Sequence, residues 1–119
     1  MRKPLILTAA ISSLATFLAM WAAGWATMPS TVKLENNRVT VKEVVYPPGE
    51  PRTPYIRPTD QVIVFMDDCR YERLDSKTKE KTVRERKSGD VIWHFKGEDA
   101  PQLTNLGTKP YRTMVIELK

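Results

Sequence analysis

Cysteine and histidine each occur once among the 119 residues, as Cys69 and His94. A single cysteine excludes an intrachain disulfide. It reads as a buried small apolar side chain, with pairing between two chains as the alternative. A cysteine nucleophile needs an activating base, and no spacing ties Cys69 to His94, so the pair gives little support for that chemistry. Helical periodicity is also missing: beyond residue 26, apolar residues do not recur at steps of three and four. Charge of one sign is scarce as well. Residues 27–119 hold 17 Lys and Arg against 14 Asp and Glu, a net +3. That surplus is too small and too scattered for a nucleic-acid partner, which requires a concentrated basic patch. Internal repeats, low-complexity segments and signs of a second domain are absent too.

The longest uncharged stretch lies at the N-terminus. Arg2 and Lys3 precede "PLILTAAISSLATFLAMWAAGWA", which carries no charge. A basic start, an apolar centre and small residues at the exit form the layout of a secretory signal peptide. The run is also long enough to span a bilayer, so residues 1–26 are expected to be either a cleaved signal peptide or an N-terminal membrane anchor. Either way the folded part, residues 27–119, is expected to be exported to the periplasm or secreted. In the anchored alternative, the N-terminal segment is its only contact with the membrane.

Residues 27–119 alternate instead of following a helical period. "TVKL" ends at the Asn36-Asn37 turn signal, and "RVTVKEVVY" stops at Pro47-Pro48-Gly49. "QVIVFM", "CRYERL", "KTVRERK", "DVIWHF" and "YRTMVIEL" follow, separated by Gly, Pro, Asn and Asp. Seven or eight short strands so punctuated imply one all-β antiparallel sandwich or barrel. "CRYERL" and "KTVRERK" read as a solvated charged hairpin with Tyr71 and Val83 on its inner face. "QVIVFM" is apolar on both faces, so both need cover. Val62, Val64 and Met66 would lie under another sheet, the N-terminal segment or a second subunit, which makes a homodimer an expectation.

One stretch carries a spaced pattern. Gly49 is followed by five residues, Tyr55-Ile56-Arg57, three residues, Gln61, six residues and Asp68. A second pattern runs from Gly89 through Phe95-Lys96-Gly97 to Pro101 and Asn105. From about Arg38 to Lys119 the chain resembles a small single-domain cupin, a jelly-roll β-barrel. The first cupin motif is a Gly, five residues, His-x-His, three residues, Glu, six residues and Gly. The second is a Gly, five residues, Pro-x-Gly, two residues, His, three residues and Asn; here one extra residue precedes Pro101 in the His place. The ending "NLGTKPYRTMVIELK" is similar to the last hairpin of small bacterial cupins, including a group associated with beta-alanine degradation. The resemblance implies a barrel whose motif residues point inward. Metal ligands would stand where this chain has Tyr55, Arg57, Gln61 and Pro101.

These residues make poor metal ligands. A divalent cation takes neutral imidazoles and carboxylates, whereas Arg57 offers only donors and keeps its charge. No cofactor is therefore expected. Tyr55, Arg57 and Gln61 share parity on extended backbone and so one face. A phenol, a guanidinium and an amide that converge can hold a small anionic ligand, with the guanidinium forking onto a carboxylate. The competing reading is that these positions drifted after loss of the metal, leaving Arg57 to reach solvent or to pair internally, with Glu98 or Asp99. Trp93 is placed as core and as part of the pocket wall. His94 lacks an Asp positioned to orient it, and reads as structural. Asp67-Asp68 and Glu98-Asp99 read as solvated turn carboxylates. The function expected is a noncatalytic protein, binding a small organic acid or another polar ligand, or serving as a structural part of the envelope. The alternative is a metal-independent or unusual cupin enzyme, isomerase-like or dioxygenase-like.

Overall fold

A computed structural model describes residues 28–119; the N-terminal segment expected to be a signal peptide or anchor lies outside the described residues. Among the described residues no helix is long and apolar enough to cross a membrane. Every regular element is a strand: β1 (Ser30–Glu35), β2 (Val39–Tyr46), β3 (Tyr55–Ile56), β4 (Asp60–Phe65), β5 (Cys69–Leu74), β6 (Lys81–Arg86), β7 (Val91–His94), β8 (Asp99–Ala100), β9 (Gln102–Asn105) and β10 (Tyr111–Leu118). The expected strands are all present. β3, β8 and β9 are additional, because strands of two to four residues are too short to show alternation in a sequence.

Local chemistry sets the turns. The Asn36 side chain accepts hydrogen bonds from the Arg38 and Val39 amides at 2.7 and 2.9 Å, building the β1–β2 turn from a side-chain mimic of a backbone turn. Asp75 does the same for Lys77 and Thr78 between β5 and β6.

The strands form a five-stranded sheet in the order β1-β2-β10-β4-β7, a three-stranded sheet β6-β5-β9 and the pair β3-β8, all paired antiparallel. These sheets do not close into one hydrogen-bonded barrel, in contrast to the expected closed form. Isolated bridges, Pro48 to Asn105 and Pro51 to Thr104, join the segment after β2 to β9. Proline, which lacks an amide donor, limits such pairing to single bridges here.

The core lies between the two larger sheets. Tyr46, Ile63, Phe65, Tyr71, Tyr111 and Met28 are buried, with Val44, Cys69, Ile92, Leu103 and Val115 packed against them. Tyr46 and Tyr111 stack at 4.7 Å between ring centroids, 8° from parallel. Cys69 packs as the sequence suggests, and burial pushes its thiol up to about 11, away from the reactive thiolate form.

Strand register corrects the expected face of the hairpin. Tyr71 stands opposite Arg84 and Glu72 opposite Val83, so Val83 faces outward with Glu72 and is 47% exposed. On β6 the residues that share Tyr71's inner face are Thr82, Arg84 and Arg86. A one-residue register choice exchanges the two faces of a strand.

Candidate functional site

The inner face of the five-stranded sheet is apolar in the middle and polar at one end. Gln61 on β4 stands opposite Glu117 on β10 and His94 on β7, and Ile63 next along β4 stands opposite Val115 and Ile92. Period-two alternation therefore points Gln61, Ile63 and Phe65 inward. Gln61 is 2% exposed, donates to Glu117 Oε2 at 3.4 Å, and accepts from Arg57 Nη1 at 2.8 Å.

Arg57 reaches Gln61 from the turn between β3 and β4. Its amide donates to the Glu98 carbonyl and its carbonyl accepts from the Gly97 amide, at 3.0 and 2.9 Å. The guanidinium is 3% exposed. Nη1 also donates to the Tyr55 hydroxyl at 3.5 Å, while Nε has no partner. Burial lowers the Arg57 pKa from its ordinary value and the like charge of Arg52 opposes it too, with Tyr55 acting in the other direction. A guanidinium keeps its proton nonetheless, so a cation lies buried here against an amide and a phenol. The internal ion pair with Glu98 or Asp99 does not form: neither carboxylate bonds the Arg57 side chain.

Tyr55, Arg57 and Gln61 thus meet as one hydrogen-bonded set. Arg52, which the sequence reading passed over, completes it. It is 7% exposed, donates to the Tyr46 hydroxyl at 2.9 Å and to the Pro101 carbonyl at 2.6 Å, and leaves Nε unpaired. Its guanidinium lies 5.4 Å from the Tyr55 ring centroid and Arg57's lies 5.7 Å from it. The only sequence signal for Arg52 was its place in a proline-rich approach to Tyr55.

Two cavities flank this set. The first, about 200 Å³, is lined by Arg52, Arg57, Ile63, His94, Glu98 and Tyr111 among others. The second, about 450 Å³, is lined by Arg52, Tyr55, Gln61, Lys42, Glu117 and Met28 among others. Two residues lining the first carry a buried oxygen without a partner: Tyr111 Oη and Thr113 Oγ1.

Trp93 does not belong to the pocket wall or the core. Its neighbours Ile92 and His94 face inward, whereas Trp93 turns to the outer face, stands opposite Val62, is 46% exposed, and packs edge-on against Phe95 at 5.8 Å. Four-residue β7 offers two inward places, and parity assigns them to Ile92 and His94.

His94 does have an orienting carboxylate, which the sequence reading missed. Its Nδ1 lies 3.1 Å from Glu98 Oε2. Burial lowers the His94 pKa, the Glu98 bond raises it, and Arg57 lowers it further; the net direction is down. Glu98 is itself held low, by the Phe95 amide first and then by His94. The turn at Gly97 folds Glu98 back onto β7, a contact four residues apart that alternation does not disclose. Asp67 and Asp68 are tied up in turns: Asp67 takes three hydrogen bonds from Arg112, and Asp68 accepts from the Ser88 amide. Asn105 bonds the Tyr46 and Lys109 carbonyls.

The positions expected to hold metal do not fit one. They present Tyr55, Arg57, Gln61 and the side chain of Pro101, whose carbonyl is taken by Arg52. Among the described residues no group of three or more His, Cys, Asp and Glu side chains could hold a metal ion.

The architecture is that of cupin domains, double-stranded β-helix proteins. A cupin domain from Bordetella pertussis superimposes with a TM-score of 0.70 at 21% identity, covering 80% of this chain and 96% of that one. A polyketide cyclase from Streptomyces resistomycificus gives 0.65 at 14% identity, over 80% of this chain and 67% of that one. A cupin-2 domain protein from Shewanella frigidimarina gives 0.56 at 15% identity, over 87% and 92%. At these identities the likeness shows the fold alone. No family model matches the sequence, and no curated protein matches it either.

Proposed function

We propose that this chain is a noncatalytic cupin-fold binding protein that takes a small organic acid beside Arg57, with a metal site lost from its motif positions. The buried Arg57 carries the reading: it is 3% exposed, and among the described residues its guanidinium bonds only Gln61 and Tyr55 and has no carboxylate partner. A buried charge without a counter-ion is costly, and a carboxylate supplies both the charge and the acceptor. Thermal shift with a panel of carboxylic acids tests this. At a hundredfold excess over Kd a ligand raises the Tm of a domain this size by roughly 10 °C or more, and Arg57→Ala abolishes the shift. A panel in which no acid stabilises the wild type selectively overturns the proposal. Stoichiometric iron, manganese, nickel or zinc in the purified protein overturns the loss of the metal site.

A second reading rests on the His94–Glu98 contact at the same cavity. An imidazole oriented by a carboxylate is suited to general acid–base work, as a metal-independent enzyme would require. Turnover of a bound acid that His94→Gln abolishes without weakening its binding would establish it.

Export and self-association complete the proposal. Residues 1–26 direct the chain across a membrane, as a cleaved signal or an anchor, and the outer face of the five-stranded sheet pairs with a second copy. N-terminal sequencing of the protein from its own cells separates the first two.

A further inference from the structure

The hairpin β5–β6 was expected to be a solvated charged surface, yet three of its arginines turn toward the first cavity. Arg73, Arg84 and Arg86 line it with Arg52 and Arg57, so five arginines, the exposed Arg84 among them, line it with two acidic residues, Glu98 and Asp99. Glu98 is engaged by His94 and the Phe95 amide. None of the five arginines is in an ion pair among the described residues. Arg86 only donates weakly to the Tyr71 hydroxyl, at 3.4 Å.

The arginines are spread along the cavity. Arg57 bonds Gln61 at one end of the inner face of β4, and the Arg86 guanidinium lies 5.6 Å over the Phe65 ring at the other. Those two β4 positions are about 13 Å apart at ~3.3 Å per residue. Arg84 stands opposite Tyr71, and Arg73 stands opposite Leu103, whose carbonyl accepts from the Arg52 amide. Between the ends the lining is apolar: Ile63, Phe65, Ile92 and Leu103. Four of the lining residues also carry a buried polar atom without a partner, namely Nε of Arg52 and Arg57, Tyr111 Oη and Thr113 Oγ1.

We infer that the natural ligand is a short acid with an anionic group at each end and an apolar middle, held between Arg52 and Arg57 at one end and Arg84 and Arg86 at the other. This rests on the organic-acid reading and specifies its substrate class. Guanidinium forks take carboxylate and phosphate alike, so the second group is either. Size limits the spacer: a cavity of ~150 Å³ holds benzene, and about 200 Å³ accommodates on the order of eight to ten non-hydrogen atoms on that scale. A five-carbon dicarboxylic acid or a three-carbon phosphorylated acid is of about that size.

Calorimetric titration of the wild type with glutarate, 3-phosphonopropanoate (a hydroxyl-free stand-in for the phosphorylated acid) and pentanoate, at matched ionic strength, provides the test. At least one dianion is expected to bind tenfold or more tighter than pentanoate, the size of effect one added charge-assisted contact gives; whichever is tighter identifies the second group. Arg84→Gln with Arg86→Gln, on the edge strand β6 and with folding checked by circular dichroism because Arg86 lies against Phe65 and Tyr71, is expected to cut that advantage below threefold and leave pentanoate unchanged. Arg57→Ala weakens all three. Pentanoate binding as well as both dianions overturns the two-ended ligand while the organic-acid reading stands. The same holds if the double variant keeps the full advantage. Binding of none of the three overturns both.

Discussion

Arg57 and Gln61 are the pair on which the candidate site turns. A buried guanidinium whose one strong acceptor is the Gln61 amide oxygen depends on that oxygen for its solvation. Gln61→Leu fits an inward β4 position sterically and removes the acceptor, together with the longer 3.4 Å bond to Glu117. Hydrogen bonds to charged groups are worth about 1.5–3 kcal/mol, so the variant is expected to lose about 2 kcal/mol in urea denaturation. An unchanged midpoint would show that Arg57 finds another partner. His94 gives a pH signature. Its folded pKa lies below the ordinary value of about 6.5. Between the two values the unfolded chain binds a proton that the folded chain resists. Stability thus rises with pH across that interval, levels off above it, and is lost on acidification through it. In His94→Gln the urea midpoint is expected to fall less between pH 7 and pH 5 than in the wild type; equal falls would remove His94 from the acid response. Parity on one extended strand led to the expectation that Tyr55, Arg57 and Gln61 converge; they do meet, but the turn between β3 and β4, and not alternation, brings Arg57 to Gln61. Glu98's contact with His94 was not legible in the sequence, since it depends on how the chain turns at Gly97.

The turn between β7 and β8 is the element that holds Arg57's backbone. Gly97 has φ +86° with open space where a Cβ would stand, and its amide donates to the Arg57 carbonyl. An L-residue there meets no steric obstacle but pays the left-handed conformational cost of about 1–2 kcal/mol. Gly97→Ala is expected to lower stability by about 1 kcal/mol and to shrink the ligand-induced thermal shift. A full shift from the variant would show that the site does not rely on this turn. The hairpin β5–β6 illustrates how far element reading reaches. Its two strands and its Asp75 turn were evident from charge alternation and turn residues. Which alternate set faces inward was not evident, because both sets contain arginine and only Tyr71 and Val83 offered an apolar cue. Tyr71 took the core and pairing placed Arg84 opposite it, sending Val83 outward.

For the whole molecule, the open question is the outer face of the five-stranded sheet. Val41, Ile116, Val62 and Trp93 run in one row across β2, β10, β4 and β7, with Met114, Val64 and Val91 in the next. Val91 and Trp93 are 60% and 46% exposed. A contiguous apolar face of this kind marks an interaction surface, and pairing with a second copy is the occupant proposed above. Trp93→Glu with Ile116→Lys is expected to convert a dimer to a monomer in light scattering without loss of the acid-induced thermal shift. Monomeric wild type would assign the face to another partner or to residues 1–27.

The sequence by itself determined the all-β class, the main strands and their turns, and the inward face of Gln61. These follow from period-two alternation and from side chains that bond their own backbone, both local properties. It also determined that Tyr55, Arg57, Gln61 and Pro101 make a poor metal-ligand set, which is a matter of side-chain chemistry alone. Only the tertiary structure decided that Trp93 leaves the cavity, that Glu98 orients His94, and that Arg52, Arg73, Arg84 and Arg86 join Arg57 around one space. Those arginines come from β5, β6 and the segment after β2, and register and sheet packing, which are non-local, bring them together.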